Sequence, residues 1–363
     1  MKSRACLGIL LLALAGLACN LSAALTPATA SPTHSPASGL RPAGSTPLSP
    51  TAPAPTTVPT ATPGQPTPLP EVEFEPAGAT VESELGRPRL SGVPEVLDTA
   101  HFRVHYTIKG VDAVPGADAD GDGHPDYVEE VARALEYARL VQIDTLGWAP
   151  PPPDGSEGGD ERYDVYLQDI LVDGTAGYTD GGYAQTMVGD NPFTEAVETR
   201  SSRSFVVLDN DYAELDAWGD EEITSLALMQ STAAHEYHHA LQYGYDAEEP
   251  AAWLWEAGAT WMQEKVFDDI NDAVAELPSV FKSPDTCQLS EGRERVESDG
   301  HWYGLWIFLQ YVAEQHGADA VRAIWEQART LDGYAAIEAA LAAYGADLDG
   351  ALHGFHLALL TRD

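Results

Sequence analysis

The stretch from residue 20 to residue 70 limits where this chain can fold, because it consists almost entirely of Thr, Pro, Ser and Ala. It holds thirteen of the 26 prolines and no acidic residue. Such a segment buries too little apolar area to offset its conformational entropy, and its prolines favour extended backbone. We therefore predict a disordered linker over 20–75, a transitional segment over 76–98 and a folded domain over 99–363.

Residues 1–19 have the pattern of an export signal. Two basic residues precede an apolar run, Leu7 to Leu17, that is too short for a permanent membrane anchor. The run ends in Ala18 and Cys19, and a small residue before a cysteine is similar to a bacterial lipobox, in which the cysteine carries lipid. The sequence favours lipidation of Cys19 over simple cleavage. We expect an extracellular or cell-surface protein, lipid-anchored to a bacterial membrane.

The charge of the chain is strongly negative, with 57 acidic against 19 basic residues and a formal net charge of −38. All the acidic residues follow residue 70, so the predicted domain carries this charge. A surface of this sign repels nucleic acid and anionic lipid headgroups. We expect no nucleic-acid partner, and contact with a membrane only through the N-terminal lipid.

The order of the periodic segments predicts an α+β domain. Apolar and polar residues alternate as in strands over 101–109, 162–170 and 204–209. A helical stripe covers 127–146, and the chain after residue 220 is mostly helical. The predicted later helices cover 220–244, 250–268, 301–316, 318–330, 334–344 and 348–360. Strands followed by helices indicate separate layers rather than alternating units.

The sequence His235-Glu236-Tyr237-His238-His239 lies within the first of these later helices and matches the pattern HExxH. Residues four apart share one face of a helix, so both outer imidazoles can reach one zinc ion. Glu236 can then approach a water on that ion. His238 is a rival ligand, and each histidine taken singly could be a buried core residue. The spacing favours His235 and His239.

A third ligand is needed, and Glu256 on the following helix is the best candidate. The pattern with a third histidine is excluded because Gln242 and Tyr245 occupy its later positions. Glu256 lies among tryptophans and alanines, where an unpaired carboxylate is costly to bury and a metal removes that cost. Glu248 and Glu249 are closer in sequence, but we expect them to be exposed in the connecting loop.

These three ligands leave zinc a fourth position for water, whose pKa the metal lowers. Glu236 is then the general base for hydrolysis of a peptide bond in a protein or peptide substrate. His301 and Tyr303 are candidates for stabilising the oxyanion, with structural roles equally open. Thr260 and Glu264 are candidates for orienting the zinc ligands by hydrogen bonds.

An acidic loop over 118–129 matches the calcium-binding loop with oxygen ligands at positions 1, 3, 5, 9 and 12 and glycine at position 6. The alternative is an Asx-rich turn that caps the 127–146 helix. Asp209, Asn210 and Asp211 form a weaker candidate cation site. The predicted calcium ligands are Asp118, Asp120, Asp122, Asp126 and Glu129, with the backbone carbonyl of His124.

The folded part resembles the zincin metallopeptidases whose third zinc ligand is glutamate (gluzincin-like), within a family of bacterial secreted metalloproteases. The resemblance implies a zincin fold: a small mixed β-sheet, an active-site helix beneath it, and a mainly helical C-terminal half. It also implies zinc on His235, His239 and Glu256, with Glu236 as base, but no particular substrate. The similar passages are His101–Thr107, Asp122–Glu129, Gly158–Leu167, Phe205–Asp211, His235–Gln242 and Trp255–Glu264.

Two other hypotheses are open at this point. One is a catalytically inactive, calcium-stabilised surface binding module on a zincin scaffold, and the other is a purely structural surface lipoprotein. The intact Glu236 argues against both, because a site without turnover has no chemical need for its base. The sequence therefore favours a secreted or surface-anchored zinc endopeptidase.

Overall fold

The computed structural model of this chain describes residues 65–75, 86–181, 186–215, 223–282 and 301–361. The export signal, the lipidation candidate Cys19 and most of the predicted linker lie outside the described residues. Every helix in these ranges is too short or too polar to cross a membrane.

A five-stranded mixed sheet forms one layer of the domain, in the order β1-β2-β3-β7-β4. The inner pairs β2/β3 and β3/β7 are parallel, whereas β1 and β4 pair antiparallel at the two ends. A separate two-stranded sheet consists of β5 and β6. The strands are β1 Glu95–Asp98, β2 Phe102–Tyr106, β3 Tyr163–Gln168, β4 Gly177–Asp180, β5 Met187–Gly189, β6 Ser201–Ser202 and β7 Phe205–Asp209.

Helices make up the rest of the core, and all the described elements after residue 223 are helical. The predicted α+β class, with a small mixed sheet and a mainly helical C-terminal half, is confirmed at this coarse level. The helices are α1 Asp126–Arg139, α2 Ser225–Tyr245, α3 Ala252–Val266, α4 Leu277–Lys282, α5 His301–Gly304, α6 Trp306–His316, α7 Ala318–Ala328, α8 Gly333–Ala343 and α9 Leu348–Thr361.

The two faces of the sheet differ in polarity because side chains alternate along each strand. On one face Phe102, Val104 and Leu208 are fully buried in the main core with α1 and α2. The other face carries Arg103, which pairs with Asp98 at 2.7 Å. The apolar face therefore fixes α2 directly against the sheet, which places the HExxH motif next to β4.

The folded region extends further towards the N terminus than residue 99. Strand β1 was assigned to the transitional segment by sequence, yet it pairs with β2 and is largely buried. Thr67 exchanges two backbone hydrogen bonds with the side chain of Gln230 on α2, at 2.6 and 2.9 Å. Arg87 is buried and pairs with Asp164 at 2.6 Å. Parts of 65–98 are therefore integral to the domain.

Several predicted element boundaries differ from those in the structure. The strand predicted over 101–109 is shorter, because the chain turns after Tyr106. The helix predicted over 127–146 ends at Arg139 and continues as a π-helical turn, Leu140–Thr145. Strands β1, β4, β5 and β6 were not predicted. They are short and lack a long alternating pattern, so only their partners in the sheets define them.

Candidate metal centre

Helices α2 and α3 pack against each other and carry all the predicted zinc ligands. The side chain of Thr224 caps α2 by accepting a hydrogen bond from the Ala227 backbone amide at 3.2 Å. From Ala227 onwards every residue of α2 is buried. The HExxH motif therefore lies in the middle of a buried helix.

The structure brings His235, His239 and Glu256 together at one point. The Glu256 Oε2 atom is 3.4 Å from His235 Nε2 and 3.6 Å from His239 Nε2. Four ligands at about 2.0–2.1 Å from a tetrahedral zinc ion lie about 3.4 Å from one another. The donor set and these two separations therefore fit a tetrahedral zinc ion.

Two glutamines hold the imidazoles in the tautomer that metal binding needs. Gln263 donates its amide to Asp272 at 2.9 Å, so its Oε1 accepts from His235 Nδ1 at 2.7 Å. Gln242 donates to the Trp255 carbonyl at 3.1 Å and accepts from His239 Nδ1 at 2.7 Å. With Nδ1 of each ring directed to a glutamine oxygen, the Nε2 atom of each ring is left to face Glu256.

The carboxylate of Glu236 lies against strand β4. The hydroxyl of Thr179 is 2.9 Å from Glu236 Oε2 and 2.8 Å from its backbone oxygen. Gly177 allows this approach, because a Cβ there would lie 2.7 Å from Thr232 Cγ2 and 2.9 Å from Glu236 Cγ. Neither Thr179 nor Gly177 was predicted from sequence, since β4 itself was not.

The electrostatics of this cluster favour a cation between the ligands. Burial alone would raise the pKa of Glu256, but contact with the imidazoles of His235 and His239 holds it far below its usual value. Burial lowers the pKa of His239, and contact with Glu256 outweighs this and raises it to about 9. Burial raises the pKa of Glu236, which suits a group that accepts a proton.

The glutamines, and not the predicted Thr260 and Glu264, orient the histidines. The Thr260 hydroxyl and one Glu264 carboxyl oxygen are buried without a hydrogen-bond partner in the described part of the chain. Burial is the main reason that the pKa of Glu264 is raised, to about 8. The sequence signal for Gln242 was a glutamine between apolar residues, whereas Gln263 is followed by Glu264 and Lys265 and had no such signal.

Of the other three candidates for the site, one lines the cavity and two lie away from the ligand cluster. The ring of Tyr303 stacks near His235 with centroids 6.0 Å apart and lines the same cavity, whereas His301 is buried elsewhere in α5. His238, the rival ligand, directs Nδ1 to Gln142 Oε1 at 3.0 Å and is not part of the ligand cluster. Burial lowers the pKa of His238 well below its usual value.

The expectation that Glu249 is exposed is wrong. Its carboxylate is buried and accepts from the Gly333 amide at 3.0 and 3.1 Å and from the Ala251 amide at 2.8 Å. Glu248 is exposed as expected. Glu249 therefore ties the loop before α3 to the start of α8 and lies outside the ligand cluster.

The acidic loop brings part of the predicted calcium set together. The carboxylates of Asp118, Asp120 and Asp122 lie within 4.8 Å of one another and are exposed. The side chain of Asp126 accepts from the Ala119 amide at 2.9 Å, and Glu129 pairs with Arg133 at 2.8 Å. His124 has its amide 2.8 Å from Asp122 Oδ1. The carboxylates of the first three aspartates therefore converge, whereas Glu129 is turned to Arg133.

The weaker candidate around Asp209 has a different arrangement. Asp209, Asp211 and Glu214 approach within 4.8 Å, whereas the Asn210 side chain donates to the Ala113 carbonyl at 2.8 Å. Both carboxylate oxygens of Asp209 accept two backbone amides each, at 2.6–3.0 Å. Its lone pairs are thus occupied, and its evident role is to anchor the loops after β3 and β7.

One family model matches part of the chain. A family model described as "Family of unknown function (DUF6055)" matches residues 222–339, which contain α2, α3 and the ligand cluster. No curated protein matches the chain.

Proposed function

We propose that this chain is a zinc-dependent endopeptidase with a zincin-like fold, exported to the bacterial cell surface and held there by lipid on Cys19. One observation carries the proposal. Two imidazole Nε2 atoms from adjacent turns of α2 face a carboxylate of α3 at 3.4 and 3.6 Å, with the general-base candidate Glu236 beside them.

In this proposal His235, His239 and Glu256 bind the metal. Zinc, when bound, supplies Lewis-acid polarisation of a peptide carbonyl and lowers the pKa of an attacking water. Glu236 accepts the proton of that water at a carboxylate oxygen and returns it to the leaving amine. The Thr179 hydroxyl keeps Oε2 of Glu236 in position during both transfers.

Strand β4 is a suitable platform for an extended substrate. It is the last strand of the sheet in the part of the chain that the structure describes, and it runs directly past Glu236. A peptide that adds to this edge forms backbone hydrogen bonds with β4 and presents one of its peptide bonds to the proposed metal centre. The cavity beside β4 is lined by Tyr178, Thr232 and Tyr303 among others, and of the two oxyanion candidates Tyr303 lines it whereas His301 does not.

We also propose that calcium binds the acidic loop over 118–129. The three clustered carboxylates of Asp118, Asp120 and Asp122 support this. The loop runs into the first turn of α1, so a bound ion stabilises the connection into that helix and takes no part in catalysis.

The test is metal analysis of the purified full chain combined with digestion of a broad peptide library. Glu236→Gln is expected to retain zinc and to lower the cleavage rate by about 10²–10⁴-fold, because it removes the base alone. Glu161→Gln, at an exposed residue outside the cavity, is the matched control. Equal rates in Glu236→Gln and wild type refute the mechanism. Zinc binding without cleavage by wild type supports the inactive surface binding module.

A further inference from the structure

The cavity that contains the ligand cluster continues past His235 to a 3₁₀ turn, Asp272–Glu276, between α3 and α4. Asp272 and Glu276 line the cavity together with Glu236 and Glu256. No lysine or arginine of the described chain lines it. The region next to the proposed cleavage centre is therefore acidic, and in the described ranges the basic side chains that line it are the imidazoles of His235 and His239.

The two acids of the turn differ in their partners. Asp272 accepts from the Ser231 hydroxyl at 2.5 Å, the Gln263 amide at 2.9 Å and the Ala273 backbone amide at 2.9 Å. The carboxylate of Glu276 is partly buried and has neither a hydrogen bond nor an ion pair with a described residue. Burial and the neighbouring Asp272 raise the pKa of Glu276 to about 7.

A second polar group in the cavity also lacks a partner. The hydroxyl of Thr260 is buried, with only 1% of the residue exposed, and forms no hydrogen bond in the described part of the chain. Thr260 lines the same cavity as Glu276. A buried hydroxyl without a partner costs stability, so the cavity is suited to an occupant with hydrogen-bond donors or acceptors.

A metal ion is not a suitable occupant for the part of the cavity next to Asp272 and Glu276. Among the described residues, Asp272 and Glu276 belong to no group of three donors close enough to hold one ion. A positively charged organic group fits better, because it neutralises Glu276 and donates to Thr260 without needing tight coordination. The net charge of −38 also attracts cationic peptides to the protein.

We infer that this cavity is the specificity pocket of the proposed peptidase and takes the lysine or arginine side chain adjacent to the cleaved bond. Glu276 forms the ion pair with that side chain, and Thr260 and Asp272 accept hydrogen bonds from it. The inference rests on the proposed function, since it names the substrate class of that same site.

The first test maps cleavage sites in a peptide library with zinc-loaded full-length protein. A charge-assisted contact in a buried pocket corresponds to a preference of roughly tenfold or more for Lys or Arg over Gln or Met. Glu276→Gln is expected to remove the preference, whereas Glu161→Gln keeps it. Thr260→Val, a nearly isosteric change, is expected to weaken it about threefold. Cleavage without a basic preference, or an unchanged preference in Glu276→Gln, overturns the inference.

The second test measures binding without turnover. The Glu236→Gln protein is titrated with a fluorescent lysine peptide and with the same peptide carrying norleucine, by anisotropy. The lysine peptide is expected to bind about tenfold more tightly, and a further Glu276→Gln change is expected to equalise the two. Equal affinities in Glu236→Gln overturn the pocket assignment. Failure of wild type to cleave any peptide refutes the peptidase, and the binding test still decides on the pocket.

Discussion

Replacing Gln263 by methionine tests how the structure prepares the metal centre. Methionine keeps the length of the side chain but has no amide. The change removes the acceptor 2.7 Å from His235 Nδ1 and the donor 2.9 Å from Asp272 Oδ1. The imidazole then loses the contact that fixes its tautomer and ring orientation, and Asp272 keeps its contacts with Ser231 and the Ala273 amide.

The loss of these contacts is expected to change both the zinc affinity and the free energy of unfolding. Loss of the hydrogen bond behind a ligating histidine typically lowers metal affinity by about 10–100-fold, or about 1.4–2.7 kcal/mol. Loss of a donor to the partly buried carboxylate of Asp272 lowers the free energy of unfolding of the metal-free protein by about 1–3 kcal/mol. The first effect appears in zinc affinity and the second in stability without zinc, so they can be measured separately.

The assay is a competition titration with a colorimetric zinc chelator, together with thermal unfolding of the metal-free protein. Gln310→Met is the matched control, because Gln310 on α6 contacts Trp261 and Glu314 outside the centre. We expect Gln263→Met to bind zinc at least tenfold more weakly than Gln310→Met. Equal zinc affinity in the two variants refutes the argument that Gln263 orients His235.

Two further predictions concern strand β4 and the acidic loop. Gly177→Ala places a Cβ 2.7 Å from Thr232 Cγ2 and 2.9 Å from Glu236 Cγ, so β4 and α2 must separate by several tenths of an ångström. We expect kcat/KM for peptide cleavage to fall about 10–100-fold with zinc content unchanged. Gly116→Ala, where a Cβ has open space, is the control, and an unaltered rate in Gly177→Ala contradicts the role of this close contact. Calcium at a hundred times its Kd is expected to raise the free energy of unfolding by about 2.7 kcal/mol. Scanning calorimetry should show this rise in the wild type and none in Asp120→Asn, and identical melting curves with and without calcium would contradict the loop assignment.

The parts of this protein that sequence predicts well are those with local causes. The positions of His235 and His239 on one helix face follow from the 3.6-residue period, which any helix imposes. The turn of the acidic loop is likewise local, because Asp118 and Asp122 accept backbone amides within five residues of themselves. The long helices of the C-terminal half carry apolar stripes that indicate their type, although their ends shift by a few residues.

The hydrogen bonds that neighbouring side chains make to the two histidines could not be predicted in the same way. Thr260 and Glu264 lie one and two turns after Glu256 and were reasonable candidates by spacing, yet Gln263 and Gln242 bond the imidazoles. The direction of each side chain depends on how α3 crosses α2, and helix periodicity carries no information about that crossing.

By itself, the sequence determined the class of fold, the two histidines, the base candidate and the helix that supplies Glu256, because these depend on short-range periodicity and composition. Only the tertiary structure decided that Thr179 and Gly177 lie against Glu236 and that Glu276 lines the same cavity. The contacts of Thr179 and Gly177 with Glu236 join residues nearly 60 positions apart. They exist because β4 pairs with β7 over α2, and such packing is set by the whole core rather than by any one segment.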